Sequence, residues 1–382
     1  MSTEVQQPAA QMAVAAQAIA KPRLVSLDVF RGMTIAAMIL VNDAGDLSHV
    51  YKPLEHAEWN GWTPTDLIFP FFLFIVGVSM VLSFDSRQVK GSTRGSLMLH
   101  SLKRSAIIFA LGVFLYAYPA FDPHTMRIPG VLQRIAVVYL ISSAIVLYCG
   151  RRARWGIAAA LLLGYWALMK LYPVPGYGPG VLTMDGSVEG YVDRALMYNH
   201  LWVAHRFDPE GLVSTIPAIA TCLFGVFTGE WIRVRSGSQL LRGLLTGAVI
   251  GLGLGELWNF WFPINKNLWT SSYVLFTGGF ALAVLAFCYW TVDVRGWKLW
   301  AQPFVWYGVN PLGIYFLASW LSFASYQHQI AGQPLIDIVY KGVYAHVTPN
   351  PYLNSMLYAL SYVLLFWIVA WVLHRKKIIV RV

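Results

Sequence analysis

Leu67-Ile68-Phe69-Pro70-Phe71-Phe72-Leu73-Phe74-Ile75-Val76-Gly77-Val78-Ser79-Met80-Val81-Leu82-Ser83-Phe84 contains no charged residue. A helix needs about 20 such residues to cross the hydrocarbon core of a bilayer. A surface helix of a soluble domain would show a charged stripe along this length. Here the only polar side chains are Ser79 and Ser83, so the stretch reads as a spanning helix. Working outward, nine more segments have the same character: roughly 25–42, 104–120, 130–149, 155–172, 212–232, 240–260, 270–292, 301–324 and 353–373. The first of the ten to contain Leu67 runs over about 64–84. The expected fold is an all-α polytopic membrane protein, a bundle of about ten transmembrane helices. A membrane barrel is excluded, because its strands alternate apolar and polar residues.

Composition agrees. Of 382 residues 57% are hydrophobic and 12% charged, where soluble domains carry about 25% charge. That excludes an ordinary soluble enzyme and a disordered chain. The net charge of +10 does not point to nucleic acid, because Lys and Arg collect in the cytoplasmic loops of membrane proteins. Nineteen of the 28 basic residues fall on one side of the ten-span arrangement, from Lys21 and Arg23 to Arg375, Lys376, Lys377 and Arg381. Most acids fall on the other, among them Asp43, Asp46, Glu58, Asp185 and Asp208. Both termini are therefore expected in the cytoplasm. Cys149, Cys222 and Cys288 lie in apolar runs without metal-ligand spacing, so no metal is expected. Residues 1–20 are rich in Ala and Gln and lack a basic start. They read as a disordered cytoplasmic tail before a single transmembrane domain, 21–382. The loops 43–63 and 173–211 are long, and long structured loops carry function more often than turns do.

Ionisable groups within spans are costly and mark function. Asp28 and Arg31 stand three apart and share a helix face. They form either a structural ion pair or a site where Arg31 meets an anion. Asn42, His56 and Asp66 lie at the ends of two spans and in the loop between them. One His with Asn and Asp in reach can act as a general base with an orienting partner; the alternative is a plain loop histidine. Arg127-Ile128-Pro129-Gly130-Val131-Leu132-Gln133-Arg134 places Arg134 about one turn inside a span, where it needs an acid or a phosphate. Asp208 and Glu210 open the sixth span, as capping acids or as partners of a cation. Lys266, between Asn265 and Asn267 and before Thr270, Ser271 and Ser272, suits an anion or a sugar, or stands solvated. Asn310-Pro311 should break the ninth span. No Walker A, HExxH, CxxC or GxSxG pattern occurs.

Several of these stretches resemble one family. Leu27-Asp28-Val29-Phe30-Arg31-Gly32, Val41-Asn42, His56-Ala57-Glu58-Trp59-Asn60-Gly61 and Asp66-Leu67-Ile68-Phe69-Pro70 are similar to the start of heparan-α-glucosaminide N-acetyltransferases. The likeness continues through 127–134, 208–215 and 265–273, so it covers essentially everything after residue 24. It is similar to the bacterial, NagX-like members. The related acyltransferase-3 proteins share the Leu-Asp-x-x-Arg-Gly opening but place a His where this chain has Asn42.

The resemblance implies a transmembrane acetyltransferase of a bacterial inner membrane. Its donor would be cytoplasmic acetyl-CoA, without a metal. Its acceptor would be the amino group of a glucosamine-type sugar on the far side. The family's active-site histidine falls on His56 and its neighbouring Asn on Asn42, with Asp66 as a third catalytic candidate. Arg31, Arg127, Gln133, Arg134, Lys266 and Ser272 are the candidates for holding acetyl-CoA. A basic role for His56 and an acetyl-histidine relay both remain open. A homodimer is the assembly the resemblance suggests, and the lipid bilayer is the other expected partner. The rival class is an amino-sugar permease of the inner membrane, since broken helices and buried charges suit transport too.

Overall fold

The computed structural model describes residues 24–380; the tail expected over 1–20 lies outside the described residues. Helix α1 runs Val25–Asn42, α2 Ile68–Val89, α3 Arg94–Ala117, α4 Val131–Tyr148 and α5 Arg151–Leu171. A short α6, Val188–Met197, follows in the long loop, and then α7 Thr215–Val234, α8 Gly237–Asn259 and α9 Ser271–Cys288. Helices α10 Gln302–Val309, α11 Pro311–Gln327, α12 Leu335–Val339 and α13 Pro351–Arg375 complete the order. The sole sheet among the described residues is a two-stranded hairpin, Gln329–Ile330 with Gln333–Pro334.

Eight helical stretches among the described residues are long and apolar enough to cross a membrane. The protein is thus an all-α polytopic membrane protein. The segments expected at 155–172 and 301–324 are the two outside that set. Helix α5 occupies the first, but its opening turn carries Arg151, Arg152 and Arg154. The second is broken where expected: Asn310 has φ −125° and ψ 51°, and α11 restarts at Pro311, whose ring cannot donate to the turn before it. Helix α3 begins about ten residues earlier than hydropathy suggests. Thr93 caps it by accepting from Ser96 N at 3.2 Å, and its basic first turns carry the helix out of the apolar zone.

Close packing sets the architecture. Without a hydrophobic drive between helices in lipid, small residues let backbones approach. A Cβ on Gly77 of α2 would stand 2.0 Å from Cys222 O, and one on Gly225 of α7 would stand 1.9 Å from Phe74 O. Any side chain at either position forces α2 and α7 apart. The N-terminus of α1 has no cap of its own, and Ser26 N donates instead to Asp293 Oδ2 at 3.1 Å.

The two ends of the bundle differ. At one, called here the basic end, α1 starts and α2 finishes. At the other, the cap end, the loops 43–63, 173–211 and 260–270 meet. They fold around a core of their own: Tyr165, Met169, Val174, Val188, Phe207, Phe262 and Leu268 are buried together. The Gly- and Pro-rich stretch of the third loop is therefore a folded cap.

Candidate active site

At the cap end, Asp66 sits in a tight turn, Pro64–Leu67, that leads directly into α2. Its carboxylate is 1% exposed and takes four donors. Oδ1 meets His56 Nδ1 at 2.7 Å, while Oδ2 accepts from Ala57 N at 3.0 Å, Thr63 N at 3.0 Å and, at 3.2 Å, the Thr63 hydroxyl, whose single proton is shared with Glu55 O at 2.6 Å. Four donors on one buried side chain is the pattern an ionised carboxylate requires. A neutral imidazole whose Nδ1–H donates to this carboxylate carries its lone pair on Nε2. His56 itself is half exposed, so that lone pair is open to a substrate. The plain loop-histidine alternative is replaced by a defined His–Asp pair. Tyr273 of α9 pins the same turn by donating to Asp66 O at 2.5 Å.

Lys266 reaches this pair from the 260–270 loop. Its Nζ stands 3.0 Å from His56 Nδ1, 3.1 Å from Nε2 and 3.8 Å from Asp66 Oδ1. Burial, foremost, pushes the Lys266 ammonium below the usual lysine range; Arg134 adds to this, while Asp66 and Glu210 oppose it. The loop is shaped by its neighbours: Asn265 Oδ1 accepts from Leu268 N at 2.8 Å, and Thr270 Oγ1 donates to Pro263 O at 2.8 Å. Ser272 donates to Phe262 O at 2.5 Å and so belongs to this framework. Asn42 ends α1, exposed, at the cap end. No hydrogen bond joins it to His56 among the described residues.

The remaining sequence candidates separate. Arg127 lies under the cap, 4.7 Å from the rings of both Tyr116 and Trp202. It donates to Asp208 through Nε at 2.8 Å and Nη2 at 2.6 Å, and to Glu210 at 2.6 Å. Asp208 and Glu210 are therefore ion-pair partners rather than helix caps. Burial alone would raise Glu210, but the guanidinium of Arg127 with Arg134 and Lys266 brings it below the usual range. Arg134 is 2% exposed and points the same way, donating to Gly211 O at 3.2 Å and to the Ser214 hydroxyl, over the Trp269 ring. Gln133 is buried against Gly112 and Gly130. Nothing in the sequence shows that Glu189 and Asp193 are both fully buried in α6. Burial, first, raises both, Asp193 to about 7.

Arg31 belongs to a different place. The expected pair exists: Nη1 meets Asp28 Oδ1 at 3.0 Å and Gly308 O at 3.1 Å, and Nη2 donates to Ser79 Oγ at 2.7 Å. It also lines a cavity of about 410 Å³. Phe72, Ile75, Val76, Ser79, Met80, Ser83 and Arg87 of α2 form one wall. Their three- and four-residue spacing is one helix face, about 22 Å long. His100 and Arg104 of α3 and Tyr139 of α4 face it, and Pro311, Leu312 and Val380 close the side beside the helix break. The C-terminal chain is clasped there: Asn310 Nδ2 donates to Ile378 O at 2.9 Å, and Val380 N donates to Asn310 Oδ1 at 2.8 Å. Arg134, Gln133, Arg127, Lys266 and Ser272 do not line this cavity. Hydropathy hid Ser79, Ser83 and His100; their shared helix face with Arg87 was the available signal.

The molecule is thus a polytopic helical membrane protein with a His–Asp–Lys centre at one end and a basic slot entering the bundle from the other. Residues 23–253 match the family described as heparan-alpha-glucosaminide N-acetyltransferase, catalytic, and the chain belongs to that family. It is similar to the heparan-alpha-glucosaminide N-acetyltransferase of Homo sapiens, 31% identical over 353 residues, 77% of this chain and 52% of the relative. The protein of the same name from Mus musculus is 30% identical over 350 residues, 77% of this chain and 53% of its own length. The chain spans about half the length of these curated relatives.

Proposed function

We propose that this protein is a transmembrane acetyltransferase of a bacterial inner membrane. It moves the acetyl group of acetyl-CoA, bound from the cytoplasm, to the amino group of a glucosamine-type sugar on the opposite side. The observation that carries this is the opposed pair of sites along α2: a hydrogen-bonded His56–Asp66 pair at its start and an arginine-lined slot along its length. The family supports the reaction type. The basic flanks at the slot's end support its cytoplasmic placement.

In this reading Arg31, Arg87, His100 and Arg104 meet the donor's phosphates. The pantetheine arm, about 15–20 Å when extended, lies along the α2 face toward the cap. Phe72, the α2 wall residue nearest the cap, is six residues past Asp66, roughly 9 Å along the chain. From Ser79, which Arg31 holds, Asp66 is thirteen residues away, roughly 20 Å, so an arm whose phosphates begin at Arg31 brings its thioester to the His56 side when fully extended. There the acceptor amine donates to His56 Nε2 and attacks the thioester carbon. The carbon–nitrogen bond forms, the carbon–sulfur bond breaks, and His56 hands the amine's proton to the CoA sulfur. Asp66 holds the imidazole in the tautomer this requires. Asn42, exposed at the cap end, is left to the acceptor.

His56→Ala should lower acetyl transfer by on the order of 10³-fold or more, since it removes the general base and its hydrogen-bonded geometry. Its melting temperature should stay close to that of the parent, because the ring is half exposed. Turnover near the parent's level would end the reading.

A further inference from the structure

The placement of Lys266 is unexplained by donor binding, since it lies outside the slot. Its ammonium stands nearly equidistant from the two ring nitrogens of His56, at 3.0 and 3.1 Å. Those nitrogens flank a single ring carbon. An atom at that range from both stands over the face of the ring, because in the plane it would collide with that carbon. Asp66 holds Nδ1 within the plane at 2.7 Å. The in-plane lone pair of Nε2 therefore stays open, and Lys266 covers the space beside it.

We propose that Lys266 is a catalytic residue that stabilises the oxyanion formed when an amine attacks the acyl thioester. This rests on the reading of His56 as the base. An amine held on Nε2 at about 2.9 Å points away from the ring, at an obtuse angle to the direction of Lys266, and so stands about 5 Å from its ammonium. The acyl carbon bonds to that amine. Its oxygen, one bond further, swings within hydrogen-bond reach of the ammonium. Lys266 has donors to spare: an ammonium carries three N–H groups, and its contact with Asp66 at 3.8 Å is an ion pair too long for a hydrogen bond. Attack moves the carbonyl π pair onto oxygen, facing a partly buried cation. Collapse returns that pair, expels the CoA sulfur, and the proton on His56 goes to the sulfur. The sum is amine plus acetyl-CoA giving N-acetyl amine plus CoA. The same cation disfavours a protonated amine at Nε2, so the acceptor arrives in its nucleophilic form.

The titratable and charged groups around Lys266 are His56 from the first loop, Asp66 from the turn before α2, Glu210 from the loop before α7 and Arg134 from α4. Burial outweighs the two acids and makes the ammonium more acidic than an ordinary lysine. The kcat/KM of the parent should then fall on the alkaline side as Lys266 loses its proton. In Lys266→Arg that fall should move to higher pH, since guanidinium stays charged.

Steady-state kinetics in proteoliposomes with acetyl-CoA and glucosamine test this directly. Lys266→Met should lose about 10²–10³-fold in kcat, the loss typical of one oxyanion donor, with the KM for acetyl-CoA nearly unchanged. Lys266→Arg should recover part of it, with the shifted alkaline limb. Size-exclusion profiles and melting curves of both variants show that they are folded. Parent-like kcat in a folded Lys266→Met protein would overturn the proposal, as would a loss confined to KM. Either result, with His56→Ala still inactive, leaves the acetyltransferase reading standing. An inactive parent would remove that reading itself.

Discussion

At the cap end Asp66 has a donor for each of its contacts, two from backbone, one from Thr63 and one from His56. At the basic end the buried Nε of Arg104 has no hydrogen-bond partner among the described residues, and its guanidinium rests on the Tyr139 ring at 5.1 Å. One end is fixed by short-range hydrogen bonds. The other is a cavity where Arg87, His100 and Arg104 add charge around an Arg31 held by Asp28, Gly308 and Ser79. Such a difference suits two tasks. Proton transfer needs geometry held to fractions of an ångström, whereas gripping a long, flexible polyanion needs charge at approximate positions. Perturbing the two ends should therefore fail in different ways, the first in kcat and the second in KM.

The largest separation is expected from Asp66→Asn. The amide can still receive backbone donors on its oxygen, but it no longer fixes the His56 tautomer. We expect kcat to fall about 10³–10⁴-fold, the scale seen when an orienting carboxylate is neutralised. The KM for acetyl-CoA should hold, as measured by initial rates. A change in KM alone would erase the contrast between the ends. The buried salt bridge under the cap comes next. Arg127→Met leaves Asp208 and Glu210 without their cation, and breaking such a pair costs about 3–5 kcal/mol. Thermal melting should show the loss, while the surviving folded fraction keeps its donor affinity. Equal stability would mean that the cap is not built on this pair. The smallest effect belongs to the slot. Arg104→Ala and Arg87→Ala should each raise the KM for acetyl-CoA by roughly 10-fold, the loss of one charge-assisted contact to phosphate, with kcat retained. A donor lacking one phosphate group would narrow that difference for whichever Arg contacts it.

Parts of this layout are visible in the chain itself. The spans follow from charge-free runs such as 67–84, because lipid accepts nothing else. The Asp28–Arg31 pair follows from a three-residue spacing, and the break at Asn310 from the proline after it. The His56–Asp66 pair was within reach because only a short loop separates them. Lys266 was assigned to donor binding, since its approach to His56 joins positions 210 residues apart and no local pattern records it. For the same reason the sequence leaves Arg134 open between an acid and a phosphate. Its guanidinium turns toward Gly211 and Ser214 because the loop before α7 folds back over α4, a tertiary event. The length of 173–211 marks it as a structured loop, but its core is scattered in the chain: Val174, Val188 and Phe207 find Phe262 and Leu268 only after folding.

The central claim is that one acetyl group crosses the bilayer through a single chain, from a slot at the basic end to His56 at the cap end. The most direct test seals acetyl-CoA inside proteoliposomes of uniform orientation and supplies glucosamine only outside. The account predicts N-acetylglucosamine in the outer medium and an equal amount of free CoA inside, with neither formed by His56→Ala. Unmodified glucosamine accumulating in the lumen, without release of CoA, would contradict it and identify a permease instead.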